Sequence, residues 1–462
     1  MSQTFETRSP MDGEVLFTRS YASSEGIETA LQQSTLRFQT WKNRPLDERI
    51  AALRTFVAAV TAQKELLAKE LSQQMGRPIR YTAGEIGGFE QRATAMLNMA
   101  PEALADIVPP EQAGFKRFVR REPLGVVLVL SPWNYPYLTA VNAIIPALAA
   151  GNTVILKHSE QTALVAERLQ EAAETAGLPE GLLQVLHCSH AQVAELISDA
   201  RIAFVAFTGS VEGGAAVTQA AANRFVGLGL ELGGKDPAYV RADAQFDHAV
   251  ENVVDGAFFN SGQSCCGIER VYVHESIFEP FVEAFAKLVR GYVLGDPMDP
   301  ETTLGPMVRP QNAAHARRHI QSAIEAGAQA LIDPADFTAD QAGSAYLAPQ
   351  VLIHVDHSMA VMREETFGPV VGIMSVKSDE EAIRLMNDSD FGLTASIWTT
   401  DEDAAMRIAE QLETGTVFMN RCDYLDPELA WVGVKNSGRG CTLSKVGFEQ
   451  LTRPKSFHFR RI

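Results

Sequence analysis

Two cysteines stand side by side in the run Gly262-Gln263-Ser264-Cys265-Cys266, although the chain holds only five in 462 residues. Before them, Val253 to Ser261 reads as a helix with one apolar face. After them, Arg270-Val271-Tyr272-Val273-His274 alternates like a strand. A thiol at such a glycine-flanked junction can be half exposed with backbone N–H groups around it, the setting a nucleophilic thiolate requires. Taken alone, the pair reads more readily as two small buried hydrophobes. Five other stretches carry polar residues suited to chemistry: Ser131-Pro132-Trp133-Asn134-Tyr135-Pro136, Lys157-His158-Ser159-Glu160, Phe207-Thr208-Gly209-Ser210-Val211-Glu212-Gly213-Gly214, Leu230-Glu231-Leu232-Gly233-Gly234-Lys235 and Glu364-Glu365-Thr366-Phe367-Gly368-Pro369. In isolation Asn134 is a turn former between prolines, Glu231 a surface carboxylate at a strand end, and Glu364-Glu365 a solvated pair.

The elements that must position these residues alternate. Gly125 to Leu130 reads as a buried strand, Leu138 to Ala149 as a helix, Thr153 to Lys157 as a strand and Thr162 to Ala176 as a helix. Strands over Leu182 to Leu186 and Ile202 to Phe207 continue the series. This spacing implies right-handed crossovers, a parallel sheet and a nucleotide-binding α/β domain with ligands at the carboxyl ends of its strands. Helices are expected over Ser24 to Trp41, Leu46 to Met75 and Ala83 to Leu104. A second alternating series runs from Glu231 to about Asn420. The division expected is a cofactor-binding domain of residues 1–113 and 124–230 and a catalytic domain of residues 231–420. An oligomerisation arm and C-terminal segment take residues 114–123 and 421–462. The last stretch, Thr452 to Arg460, is a terminal strand that pairs either with the Gly114 to Arg121 ribbon or with another subunit.

Composition narrows the function classes. Acidic residues outnumber basic ones by 57 to 40, for a net charge of -17, which argues against nucleic acid or an anionic membrane as partner. An odd cysteine count without framework spacing fits a reducing compartment, so a cytoplasmic location is expected, and the N-terminus shows no signal peptide. From Leu124 to Leu156 no residue is charged, yet Pro132, Pro136 and Pro146 and three asparagines argue for buried strand, loop and helix over a membrane span. In His187-Cys188-Ser189-His190, alternation sends the side chains to opposite faces, and no second cluster has ligand spacing, so no metal is expected.

Together and in this order, the six stretches closely resemble the NAD(P)-dependent aldehyde dehydrogenase superfamily over nearly the whole chain. The fold so implied is α/β, a Rossmann-type cofactor domain plus a second α/β catalytic domain and a small β oligomerisation arm, in a homodimer or homotetramer. The resemblance makes Cys265 the nucleophile that forms a thiohemiacetal and then a thioester. It makes the Asn134 amide and the Cys265 N–H the oxyanion donors, an arrangement worth ~3 kcal/mol per donor, and Glu231 the base that activates water. Cofactor contacts fall to Trp133, Lys157, Glu160, Gly209, Ser210, Gly214, Glu365 and Phe367, with Gly209 and Gly214 letting a helix N-terminus approach the pyrophosphate. Glu160 favours NAD, with NADP possible through Lys157. The substrate funnel draws on Tyr135, Leu138, Asn142, Ser264, Cys266, Arg421 and Trp431.

Three departures from the family pattern stand out. His158 replaces a frequent Pro, and Trp431-Val432-Gly433 replaces Phe-Gly-Gly. Ala143 and Thr442 replace a Lys and a Glu held to move the proton away from the base, which leaves that task to bulk water or another group. The expected substrate is a medium-sized aliphatic or aromatic aldehyde. A semialdehyde is the alternative: many succinate-semialdehyde members carry an Arg where Asn142 stands, and its absence counts against that substrate, while Arg421 is a candidate to grip a carboxylate against the plainer reading of a solvated loop residue. A catalytically inactive structural relative is the third reading, opposed by the joint presence of Asn134, Glu231 and Cys265. A CoA-acylating or acyl-phosphate-reducing relative would not need Glu231.

Overall fold

Two open sheets carry the chain, and the computed structural model describes residues 3–462 of it. The first has six strands in the order Gly438–Arg439, Gly227–Glu231, Ile202–Thr208, Val126–Ser131, Thr153–His158 and Leu183–Val185. The last five are parallel, and strand order reverses on either side of Val126–Ser131, whose neighbours are Thr153–His158 and Ile202–Thr208. Such a switch point opens a crevice at the carboxyl ends of the strands. Every residue of Val126–Ser131 is buried, and so is nearly all of the helix Pro136–Ala150 that follows. That burial accounts for the uncharged stretch between Leu124 and Leu156. No helix of the described residues is long and apolar enough to cross a membrane. Pro136 opens its helix in the first turn, and Pro146 is accommodated within it.

The second sheet has seven strands, in the order Gln329–Ala330, Gln350–Ile353, Val370–Val376, Ile268–His274, Asp236–Val240, Thr394–Trp398 and Thr416–Met419. All its pairings are parallel but the first. Phe115–Pro123 and Thr452–Arg460 form an antiparallel ribbon of their own, in which Phe118 stacks on Phe457 at 4.4 Å. The terminal strand thus takes the first of the two partners expected for it. The residues before it do more than trail: Gly438–Arg439 pairs with Leu230 and Glu231 at the edge of the first sheet.

Several elements differ from expectation. The helical run over Leu46 to Met75 is two helices, Leu46–Thr61 and Lys64–Met75, because the chain turns at Ala62 and Gln63. The next helix, Ile79–Ala103, begins directly after Pro78 and carries Pro101 near its end. An N-terminal hairpin of Thr4–Arg8 and Val15–Ser20 was not expected at all. It lies against the first sheet's ligand edge, where the Thr7 hydroxyl donates to the Glu160 carbonyl.

Candidate active site

The helix Phe246–Phe258 ends in a tight turn in which Asn260, Ser261 and Gly262 have φ of +54°, +57° and +69°. A Cβ on Gly262 would collide with the Gly368 carbonyl, so only glycine lets this turn pass beneath the Glu364 to Pro369 stretch. Gln263 anchors it by accepting from the Val308 N–H at 2.8 Å. Cys265 emerges half-buried into a cavity of about 590 Å³ that Glu231, Tyr135, Leu138, Asn142, Ser264, Cys266 and Trp431 also line.

Asn134 is buried, and its carbonyl accepts from Arg77 Nη2 and from Asn260 Nδ2. Its side-chain amide has no hydrogen-bond partner among the described residues, and Asn134 is not among the residues that line the cavity. Arg77 is held in turn by an ion pair with Glu85, by Asn260 Oδ1 at 3.0 Å and by the face of the Tyr135 ring at 4.4 Å. Glu85 Oε1 accepts from the Tyr137 N–H at 2.8 Å, which caps the helix that starts just after Asn134. Neither Arg77 nor Glu85 was visible as a site residue, since their partners lie far away in the chain.

Glu231 ends its strand with Thr208 Oγ1 donating to one oxygen at 3.1 Å and the Thr442 hydroxyl donating to the other. Burial pushes its pKa above the usual carboxylate range, against the two threonine hydrogen bonds and the Arg92 charge. Thr442, expected only as the place of a missing Glu, is therefore a direct partner of the carboxylate. Thr442 and Trp431 also exchange both backbone hydrogen bonds, at 2.8 and 2.9 Å, tying the cavity wall to Glu231. Just beyond, a Cβ on Gly234 would strike the Cys265 carbonyl, which explains the glycine there.

Trp133 and Phe367 meet edge to face with centroids 5.6 Å apart. The Phe367 loop hangs on Glu269, whose carboxylate accepts the Thr366 and Phe367 N–H groups at 2.8 and 2.9 Å and pairs with the buried Lys235. Glu365 accepts from the Gly234 N–H at 2.9 Å, and burial pushes its pKa up to about 8. Lys157 is half-buried at the switch point, lowered in pKa by burial and without an ion-pair or hydrogen-bond partner among the described residues. One Glu160 oxygen accepts from the Tyr21 hydroxyl at 2.6 Å. Buried His158, its pKa pushed down to about 3 by desolvation, stays neutral between the Pro136 carbonyl and Thr162.

Ser210 caps the helix Val211–Ala220 by accepting from the Gly213 N–H at 3.1 Å, and the glycines around it are closely packed. A Cβ on Gly209 would come within 2.6 Å of Phe207 Cζ, and one on Gly214 within 2.7 Å of Leu232 Cδ2. Arg421 does not line the cavity: it is exposed, with its guanidinium 3.5 Å from the centroid of the Tyr424 ring.

The model of the aldehyde dehydrogenase family matches residues 1–457. The chain belongs to that family. Among relatives, a succinate semialdehyde dehydrogenase [NAD(P)+] of Escherichia coli is 35% identical over 449 residues, 96% of this chain and 95% of the relative. A succinate-semialdehyde dehydrogenase [NADP(+)] of Deinococcus radiodurans is 32% identical, over 98% of this chain and 94% of the relative. Among solved structures, a betaine aldehyde dehydrogenase of Staphylococcus aureus in complex with NAD+ superposes with TM-score 0.93 at 29% identity, over 99% of this chain and 92% of that one. An aldehyde dehydrogenase of Brucella melitensis biovar abortus 2308 reaches 0.95 at 30% identity, over 100% and 94%.

In this aldehyde dehydrogenase the cavity holds further polar groups that had no motif to announce them. Asp423, at φ +44°, accepts from Ser264 Oγ at 3.0 Å and from Cys266 Sγ at 2.9 Å, and burial pushes its pKa up to about 6. Tyr135 Oη is sealed from solvent without a hydrogen-bond partner. Arg92 enters from the helix Ile79–Ala103, and Tyr81, Phe259 and Tyr424 complete an aromatic lining.

Proposed function

We propose that this aldehyde dehydrogenase oxidises a semialdehyde, an aldehyde with a carboxylate at its far end, to the dicarboxylate through a thioester on Cys265. The observation that carries the mechanism is the half-buried Cys265 opening into one cavity with Glu231, beside a buried Asn134 whose amide has no partner. Cys265 Sγ attacks the aldehyde carbon, and the carbonyl electron pair moves onto oxygen. The Asn134 amide and the Cys265 N–H receive that charge. Bound NAD(P)+ supplies the acceptor for the hydride whose loss turns the thiohemiacetal into a thioester. Glu231 then takes a proton from water, the oxygen adds to the thioester carbon, and the C–S bond breaks to release the acid and the thiolate. The residues that would hold the dinucleotide are Trp133, Lys157, Glu160, Ser210, Glu365 and Phe367. The unpaired, half-buried Lys157 amine fits a ribose hydroxyl or a 2′-phosphate, and Tyr21 already engages one Glu160 oxygen, which together support use of either NAD or NADP.

The names of the two relatives above support the semialdehyde class. A second reading, a neutral aliphatic or aromatic aldehyde, draws on the aromatic lining of Tyr81, Tyr135, Phe259, Tyr424 and Trp431. A panel of succinate semialdehyde, straight-chain aldehydes and benzaldehyde, followed by absorbance of the reduced nicotinamide with NAD and with NADP, separates the two. Cys265→Ala abolishes turnover while cofactor binding persists. Glu231→Gln keeps a first burst of reduced cofactor but slows the steady state by on the order of 10²–10⁴-fold. Loss of the burst as well would move Glu231 out of the hydrolytic step.

A further inference from the structure

The helices Ile79–Ala103 and Pro136–Ala150 cross so closely that a Cβ on Gly88 would sit 2.7 Å from Leu138 Cδ2. That approach delivers Arg92 to the cavity wall beside Asn142. Arg92 Nη1 donates to the Leu138 carbonyl at 2.8 Å and to Asn142 Oδ1 at 3.3 Å. Its Nε and Nη2 have no partner among the described residues, and no described carboxylate lies within ion-pair distance, although the residue is only 9% exposed. A guanidinium buried without a counter-charge is costly, and buried donors in folded proteins are ordinarily paired. The carboxylates that act on it electrostatically are already engaged: Glu231 by two threonines and Glu85 by Arg77. Arg92, with its unspent N–H groups, lines the same cavity as the Cys265 thiol.

We propose that Arg92, steadied by Asn142, is the subsite that binds the far carboxylate of the substrate and so sets the enzyme's specificity. This rests on the semialdehyde reading above and names the residue responsible. A planar guanidinium with two free nitrogens matches a carboxylate in a forked pair. Glu85, Glu231, Asp255 and Asp423 line the same cavity and repel an anion, which leaves the Arg92 guanidinium, whose Nε and Nη2 are unspent, as the place for a carboxylate. The positive charge thus comes from the neighbouring helix, reaching Asn142 from outside its own helix.

The test compares kcat/KM for succinate semialdehyde with that for butanal, which carries a methyl where the other carries its carboxylate. The wild-type enzyme favours the carboxylated substrate. In Arg92→Leu the ratio collapses by about 10–10²-fold, the worth of one charge-assisted pair, chiefly through KM for the semialdehyde. Arg92→Lys restores part of it, and cofactor binding reports on folding. Should Arg92→Leu not fold, Arg92→Gln is judged by the same ratio. A wild-type preference that survives both neutral variants overturns the Arg92 subsite and leaves the substrate class standing. A wild-type enzyme without that preference overturns both.

Discussion

Arg77 and Arg92 approach one cavity from the same stretch of chain, and the molecule uses them in opposite ways. Arg77 is saturated: Glu85, the Asn134 carbonyl, Asn260 and the Tyr135 ring occupy its guanidinium. Arg92 meets two neutral acceptors through a single nitrogen and no carboxylate. The first holds the reacting wall of the cavity in place, and the second stands ready on the wall that meets the rest of the substrate. Residue type and burial are alike; partner count separates scaffold from recognition.

Breaking the scaffold should have the largest effect. Arg77→Met strands the buried Glu85 carboxylate and is expected to cost about 3–5 kcal/mol in chemical denaturation, with turnover lost alongside as Asn134 drifts. Arg92→Met should change stability by less than about 1 kcal/mol, or raise it, because it removes a buried charge that has no counter-charge. Equal losses in the two variants would dissolve the distinction. A smaller effect probes the base. Thr442→Val deletes a hydrogen bond that favours the ionised Glu231, so the carboxyl pKa rises further and the acidic limb of kcat moves to higher pH. A limb that stays in place or moves lower would exclude Thr442 as a partner of the working carboxylate. Smallest is Asp423, whose folded pKa of about 6 lies above its ordinary 3.8. Its contribution to stability is full below the lower value and is lost as pH rises through the higher one. Asp423→Asn should flatten the pH dependence of stability between those values, as read in denaturation at a series of pH values.

The parts of this enzyme legible in the sequence are those written in consecutive residues. Strand–helix alternation and the six ordered stretches carry the fold and bring Cys265, Glu231, Tyr135, Leu138, Asn142, Ser264, Cys266 and Trp431 to one cavity. Arg77, Glu85, Arg92 and Asp423 escaped notice because each acts through partners far along the chain, and a single charged residue in a helix or loop has no local signature. Arg421 misled for a related reason. Asn420 and Asp423 both have positive φ, so the backbone reverses around them and turns Asp423 inward while Arg421 faces solvent. The N-terminal hairpin went unread because its strands are short and half exposed, and its place is set by contacts with Glu160 rather than by its own pattern.

The pairing of Gly438–Arg439 with the strand that ends in Glu231, and of Thr442 with Glu231 itself, has a consequence for how the protein is made. The chain must be synthesised through Thr442 before the Glu231 carboxylate can find its final seat. A nascent chain that already displays Cys265 therefore has Glu231 still unseated, and a chain cut before Gly438 is expected to lose that seat while keeping most of both sheets.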